Sequence, residues 1–187
     1  MPTVVAAAAA PAEAASTLPR IDRSFLVTRS TQAVVPGASV SECRSGSRLS
    51  VTTDNVNTYY RIVNVQAGST VTNVTASVLV QKDMVDAMGS RNPLTWTSAT
   101  TDWSTPVREV SGTGSPVLYT NNGTRYYRYV SKLSTPVPAP VSGTITLPRI
   151  GWYSNCSTTL AGVSVSGRGS AVVNGMTLDN VGDFRTL

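Results

Sequence analysis

Between Val74 and Val80, Val74, Ala76, Val78 and Val80 fall on one side of an extended chain, while Thr75 and Ser77 fall on the other. Strict alternation of this kind suits a half-buried β-strand and no other regular element. The pattern recurs along the chain. Thr124 to Leu133 sets Tyr127, Tyr129 and Leu133 against Arg128 and Lys132. Further short runs occupy Ser24–Arg29, Arg48–Thr53, Tyr59–Val65, Val107–Val110, Pro116–Thr120, Thr144–Leu147, Leu160–Ser166 and Ala171–Leu178. Gly, Pro, Asn and Asp separate them, as turns require. Only Lys82 to Met88 reads as helical. The expectation is an all-β fold, an antiparallel β-sandwich of the jelly-roll type. Residues 1–22 are expected to form a flexible Ala/Pro-rich N-terminal arm and residues 23–187 the sandwich domain.

Side-chain chemistry is restricted. The 187 residues include no histidine and two cysteines, Cys43 and Cys156. Ser-His-Asp and Cys-His arrangements are thereby excluded, and no imidazole serves as an acid or base near neutral pH. The cysteines can form one disulfide or stay as thiols; one pair leaves both states open. Asp54, Asp102, Asp179 and Asp183 are scattered with nothing to pair them as acid and base, and no enzymatic activity is expected. Charged residues make up 13% of the chain, about half the usual share. The polar surface must therefore be built mainly from Ser, Thr, Asn and Gln, which suits contact with neighbouring subunits as well as with water. Net charge is +5, with thirteen Arg among fifteen basic residues and no basic block. Weak electrostatic contact with nucleic acid is allowed, but no dedicated binding tail is visible. The Ala-rich start lacks the charged leader of a signal peptide, and no run has the length of a membrane-spanning helix, so no membrane partner is expected.

Several patterns admit two readings. Asp83 and Asp86 follow the strongest strand, three residues apart. They can converge on a hard cation such as Ca²⁺, or simply open a short helix where acidic groups complement its dipole. Trp96, Trp103 and Trp152, with Tyr59, Tyr60, Tyr126, Tyr127 and Tyr129, can form a stacking platform for sugars or bases, or fill a core. Gly167-Arg168-Gly169 reads as a turn. Pro136, Pro138 and Pro140 stiffen one loop. The sequons at Asn73, Asn122 and Asn155 occur at about the frequency that chance gives in so Ser/Thr-rich a chain.

An N-terminal arm, one β domain, a short helix after an early strand and Asp83-x-x-Asp86 in that loop together resemble the coat proteins of small icosahedral RNA viruses, the sobemovirus-like group in particular. The resemblance implies a capsid subunit that assembles with copies of itself around genomic RNA, forming a virion in the host cytoplasm. It also implies inter-subunit Ca²⁺ at Asp83 and Asp86. The chain departs from that group in lacking an arginine-rich arm, so RNA would fall to Arg20, Arg23 and Arg29, where the arm enters the domain. Two other roles suit the same pattern. One is a phage decoration, head-fibre or tail protein. The other is a secreted carbohydrate-binding sandwich, which would carry a Cys43–Cys156 disulfide.

Overall fold

The computed structural model describes residues 18–137, 140, 141 and 143–187. The Ala/Pro-rich stretch 1–17 and Pro138 lie outside the described residues. The elements in order are β1 (Arg20–Ser24), β2 (Leu26–Ser30), β3 (Arg48–Thr52), β4 (Tyr59–Val65), β5 (Val71–Gln81), α1 (Lys82–Ala87), β6 (Trp96–Ser98), β7 (Val107–Arg108), β8 (Leu118–Asn121), β9 (Thr124–Lys132), β10 (Gly143–Thr146), β11 (Gly151–Ser154), β12 (Ser164–Val173), β13 (Met176–Val181) and β14 (Arg185–Thr186).

Two layers result. In the first, β1–β4–β10 and β2–β3–β11 are successive halves of the same long strands, and β6 is added beside β11. The chain runs from β1 into β2 with only Phe25 between, and β3 continues into β4 past an excursion at residues 53–58; all the pairings are antiparallel. The second layer is β13–β12–β5–β9–β7, with β14 on β12 and β8 on β9. Its edge strand is also interrupted: β7 and β8 pair with successive parts of β9, and residues 109–117 project between them. Asn122-Gly123 and Asn174-Gly175 close the β8–β9 and β12–β13 hairpins, all four residues at positive φ, as two-residue type I′ turns demand.

The all-β sandwich expected from the sequence is thus the fold. Its first and last strands, which a jelly roll pairs, lie in different layers: β1 pairs with β4, and β13 and β14 pair with β12. Arg20 to Asp22, assigned to the arm on sequence, belong to β1, where Ile21 is buried against the core. Ala171–Leu178 is two strands and a turn rather than one strand, because Asn174-Gly175 reverses the chain.

Between the layers lies one cluster of valines and aromatic rings. Tyr60 is fully buried, edge-on to Phe25 with centroids 5.5 Å apart and stacked on Trp103 at 5.9 Å; Trp103 in turn meets Trp152 edge-on at 6.4 Å. Phe25 and Tyr60 rest directly on the backbone of β12. A Cβ at Gly167 would lie 2.7 Å from the Phe25 ring, and one at Gly169 would lie 2.8 Å from that of Tyr60. Gly167-Arg168-Gly169 is therefore mid-strand, not a turn. Its glycines make room for rings from the opposite layer. The Tyr60 hydroxyl lies 2.8 Å from the Thr75 carbonyl oxygen and 2.9 Å from that of Ser170, beside the register break in the β5–β12 ladder. Its single proton serves two buried carbonyls where strand pairing slips, and burial pushes its pKa up.

Removing that hydroxyl should cost more than the loss of one exposed bond. Tyr60→Phe is expected to lower the unfolding free energy by about 1–3 kcal/mol, the cost of stranding a buried polar group. Urea denaturation reads this as a lower midpoint at constant slope. An unchanged midpoint would remove the hydroxyl from the account.

Candidate functional site

The sandwich is closed along one side and open along the other. On the closed side, Arg23 Nε donates to the Asn180 carbonyl at 2.9 Å, Asn180 Nδ2 donates to that of Ile21 at 3.0 Å, and Arg185 donates to that of Val27. Gly182 leaves room for the Arg23 guanidinium, whose pKa burial lowers. On the open side, the edges of β6 and β7 stand apart. Residues 85–95 cap the gap, leaving a groove of about 750 Å³. Leu94, Trp96, Pro106 and Tyr129 give it apolar walls; Asp86 and Arg108 supply its charges.

The two charged groups here, Asp86 and Arg108, are already engaged. The Asp86 carboxylate accepts from Lys82 and, at 2.9 Å, from the Tyr127 hydroxyl. The Lys82 contact holds its pKa below the usual carboxylate range. Arg108 lies over the Tyr127 ring, 5.0 Å from its centroid. Burial raises the Tyr129 phenol to about 12. Trp96 is 6% exposed, packs on Tyr129 at 6.0 Å, and buries an indole N–H with no hydrogen-bond partner among the described residues. The groove offers an apolar slot with one carboxylate and one guanidinium, and the shifts of Asp86 and Tyr129 both run away from pH 7.

Asp83 and Asp86 sit in the one helix among the described residues, where Asp83 occupies the first turn. Both are exposed, and Asp86 is engaged by Lys82 and Tyr127. No group of three or more His, Cys, Asp or Glu able to hold a metal ion occurs among the described residues. The three arginines singled out in the sequence do not converge. Arg20 is exposed at the start of β1, Arg23 is spent on the β1–β13 seam, and Arg29, near the far end of β2, donates to the Ser47 hydroxyl at 3.3 Å. Of the aromatic set, Tyr60, Trp103 and Trp152 are core. Tyr126 packs on Phe184 at 4.5 Å on the outer face of the second layer. No described helix is long and apolar enough to cross a membrane.

Sequence reasoning left open the cysteine pairing, which is a Cys43–Cys156 disulfide with Cα atoms 5.8 Å apart. It also passed over Arg48, five residues beyond Cys43, whose guanidinium touches both sulfurs. An arginine at the start of a strand looks solvent-facing, and the sequence carried no signal of its burial. Comparison with known proteins returned no matching family model, no matching curated protein and no matching solved structure.

One carboxylate has a local structural role. Asp54 caps the 53–58 excursion: its Oδ1 accepts from the N–H groups of Thr58, Val56 and Asn57 at 2.9, 2.8 and 2.9 Å. These bonds, led by those from Thr58 and Val56, lower its pKa to about 2. A depressed carboxylate supports the fold fully above its unfolded value of about 3.9 and loses that support as pH falls through the folded value. Asp54 is therefore expected to titrate near pH 2 by carboxyl NMR, with the protection of amides 54–58, relative to intrinsic exchange rates, falling between about pH 4 and 2. Titration near 4 would contradict the cap.

Proposed function

We propose that the chain is a structural subunit that associates with copies of itself, in the manner of a capsid protein forming a shell. The observation that carries this reading is a pair of separate apolar patches on a surface poor in charge. One patch lies at the end of the sandwich where the chain enters β1. There Leu18 and Val141 are 72% and 85% exposed, and Met176 is nearby. Leu18 and Met176 border one shallow hollow, and Pro140, beside Val141, accepts from the Gly68 N–H in the neighbouring loop. The other patch follows the interrupted edge strand and comprises Val107, Val110 and Leu118. Two unlike patches on one subunit permit head-to-tail contacts, which close into rings or shells when the rotation between subunits allows. Many weak identical contacts then sum to a stable particle.

Within that reading, RNA would meet the exposed Arg20 and Arg29 through weak, salt-sensitive contacts. A divalent ion at Asp83 and Asp86 would need further oxygens from a neighbouring subunit, and Asp86 would have to release Lys82. The virion remains the setting this reading implies. A secreted, glycan-binding role is favoured by one observation, the disulfide, since such bonds persist in oxidising compartments. Against it, Trp96 and Tyr129 are too deeply buried to offer a ring face for stacking.

Sedimentation velocity on the purified chain tests the proposal. Wild-type protein is expected to form large, uniform particles. Val141→Asp and Val107→Asp, each at one patch, are expected to return a small species with unchanged far-UV circular dichroism. A small species from wild type at every concentration, or particles indifferent to both substitutions, would overturn the reading.

A further inference from the structure

Arg48 is a buried cation without an anion. It is 7% exposed at the start of β3, and no carboxylate bonds to it among the described residues. Its Nη2 donates to the Ser41 carbonyl at 2.8 Å and lies 3.0 Å from Cys156 Sγ, while Nε lies 3.4 Å from Cys43 Sγ. The Tyr153 ring lies beneath it, with its centroid 5.6 Å away. All these neighbours are neutral. Burying a guanidinium among neutral groups costs free energy that an anion at the same place would offset. Opening the disulfide would create that anion, because either sulfur, once released, is a thiolate already in contact with Arg48.

We propose that Cys43–Cys156 is an exchange-competent disulfide, opened by low-molecular-weight thiols, with Arg48 as the group that stabilises the departing thiolate. Access is one-sided. Cys43 is buried, whereas Cys156 is partly exposed and borders a polar cleft of about 430 Å³ that also holds Arg44. A thiolate entering the cleft attacks Cys156 Sγ. The bond to Cys43 breaks, and its electron pair leaves on Cys43 Sγ, beside Arg48 Nε. A second thiolate attacks the outer sulfur of the mixed disulfide and releases Cys156 as a thiolate, beside Arg48 Nη2. Two small thiols become one small disulfide and the cystine becomes two cysteines, with no other oxidant or reductant. A stabilised leaving thiolate speeds each step.

The fold does not hang on the bridge. Ser47 and Ser157 exchange backbone bonds of 2.9 and 2.8 Å, the Leu49 N–H donates to Ser154 Oγ at 2.9 Å, and β3 pairs with β11. These contacts hold the same two segments together when the sulfurs part. The inference is independent of self-association.

The test uses the oxidised full-length chain with reduced glutathione, quenched by alkylation and read by mass. Wild type is expected to open at least about tenfold faster than Arg48→Met. In the reduced, folded protein, the pH profile of alkylation should give at least one thiol a pKa below about 7.5, against an ordinary value of about 8.5, and this depression should vanish in Arg48→Met. Equal or faster opening of the variant would overturn the proposal. So would two thiols of ordinary or raised pKa in wild type, or loss of near-UV circular dichroism on reduction. If Arg48→Met does not fold, the wild-type profile decides alone.

Discussion

The contact on which the sandwich depends is the seating of Tyr60 and Phe25, from one layer, on the bare backbone of Gly167 and Gly169 in the other. Two layers of valines would slide past each other with little penalty, since aliphatic contacts carry almost no direction. The rings remove that freedom. Each fits over a glycine, and the Tyr60 hydroxyl reaches the carbonyls of Thr75 and Ser170, where the ladder slips by a residue. A single side chain thus sets the alignment of the layers and satisfies the irregularity that alignment creates. Trp103 and Trp152 extend the ring cluster to the strands beyond.

From that alignment follows the asymmetry of the two sides. With β12 held under β1 and β2, β13 and β14 come within reach of them: Arg23 donates across to the Asn180 carbonyl, and Asn180 and Arg185 donate back to those of Ile21 and Val27, sealing the seam. The other pair of edges, β6 and β7, is left apart, and the helix and the loop after it cap the gap rather than close it. The charges that looked available for partners are partly consumed in this way. Arg23 works inside the seam and Arg48 beneath the disulfide, which leaves the exterior still more dominated by Ser and Thr.

The sequence was most legible where one face of a strand meets the core and the other does not. The Tyr127–Tyr129 strand alternates for that reason; Val74–Val80 alternates in residue type although Ser77 and Leu79 on its second face are buried too, and the short helix at Lys82 is announced by the break in alternation. β11 escaped because Gly151, Trp152 and Ser154 are all buried, which erases the alternation that marks a half-exposed strand. Asn174-Gly175 was passed over although that pair is a strong hairpin signal; Ala171 and Leu178 lie directly opposite each other across the turn. The glycines flanking Arg168 misled for a deeper reason. What requires them, Phe25 and Tyr60, lies more than a hundred residues away. The Asp83–Asp86 spacing gave no hint that Tyr127, from a different strand, would hold Asp86, although Lys82 four residues before it is an ordinary helical ion-pair partner.

A double-mutant cycle between Gly169→Ala and Tyr60→Leu tests the central contact most directly, because it isolates the pair from everything else each residue does. Gly169→Ala should be strongly destabilising when Tyr60 is present, through the overlap of the new methyl group with the ring. It should cost little once the ring is gone, giving a coupling of about 1–3 kcal/mol. If the two substitutions simply add, the ring does not rest on that glycine, and the alignment of the layers has another origin.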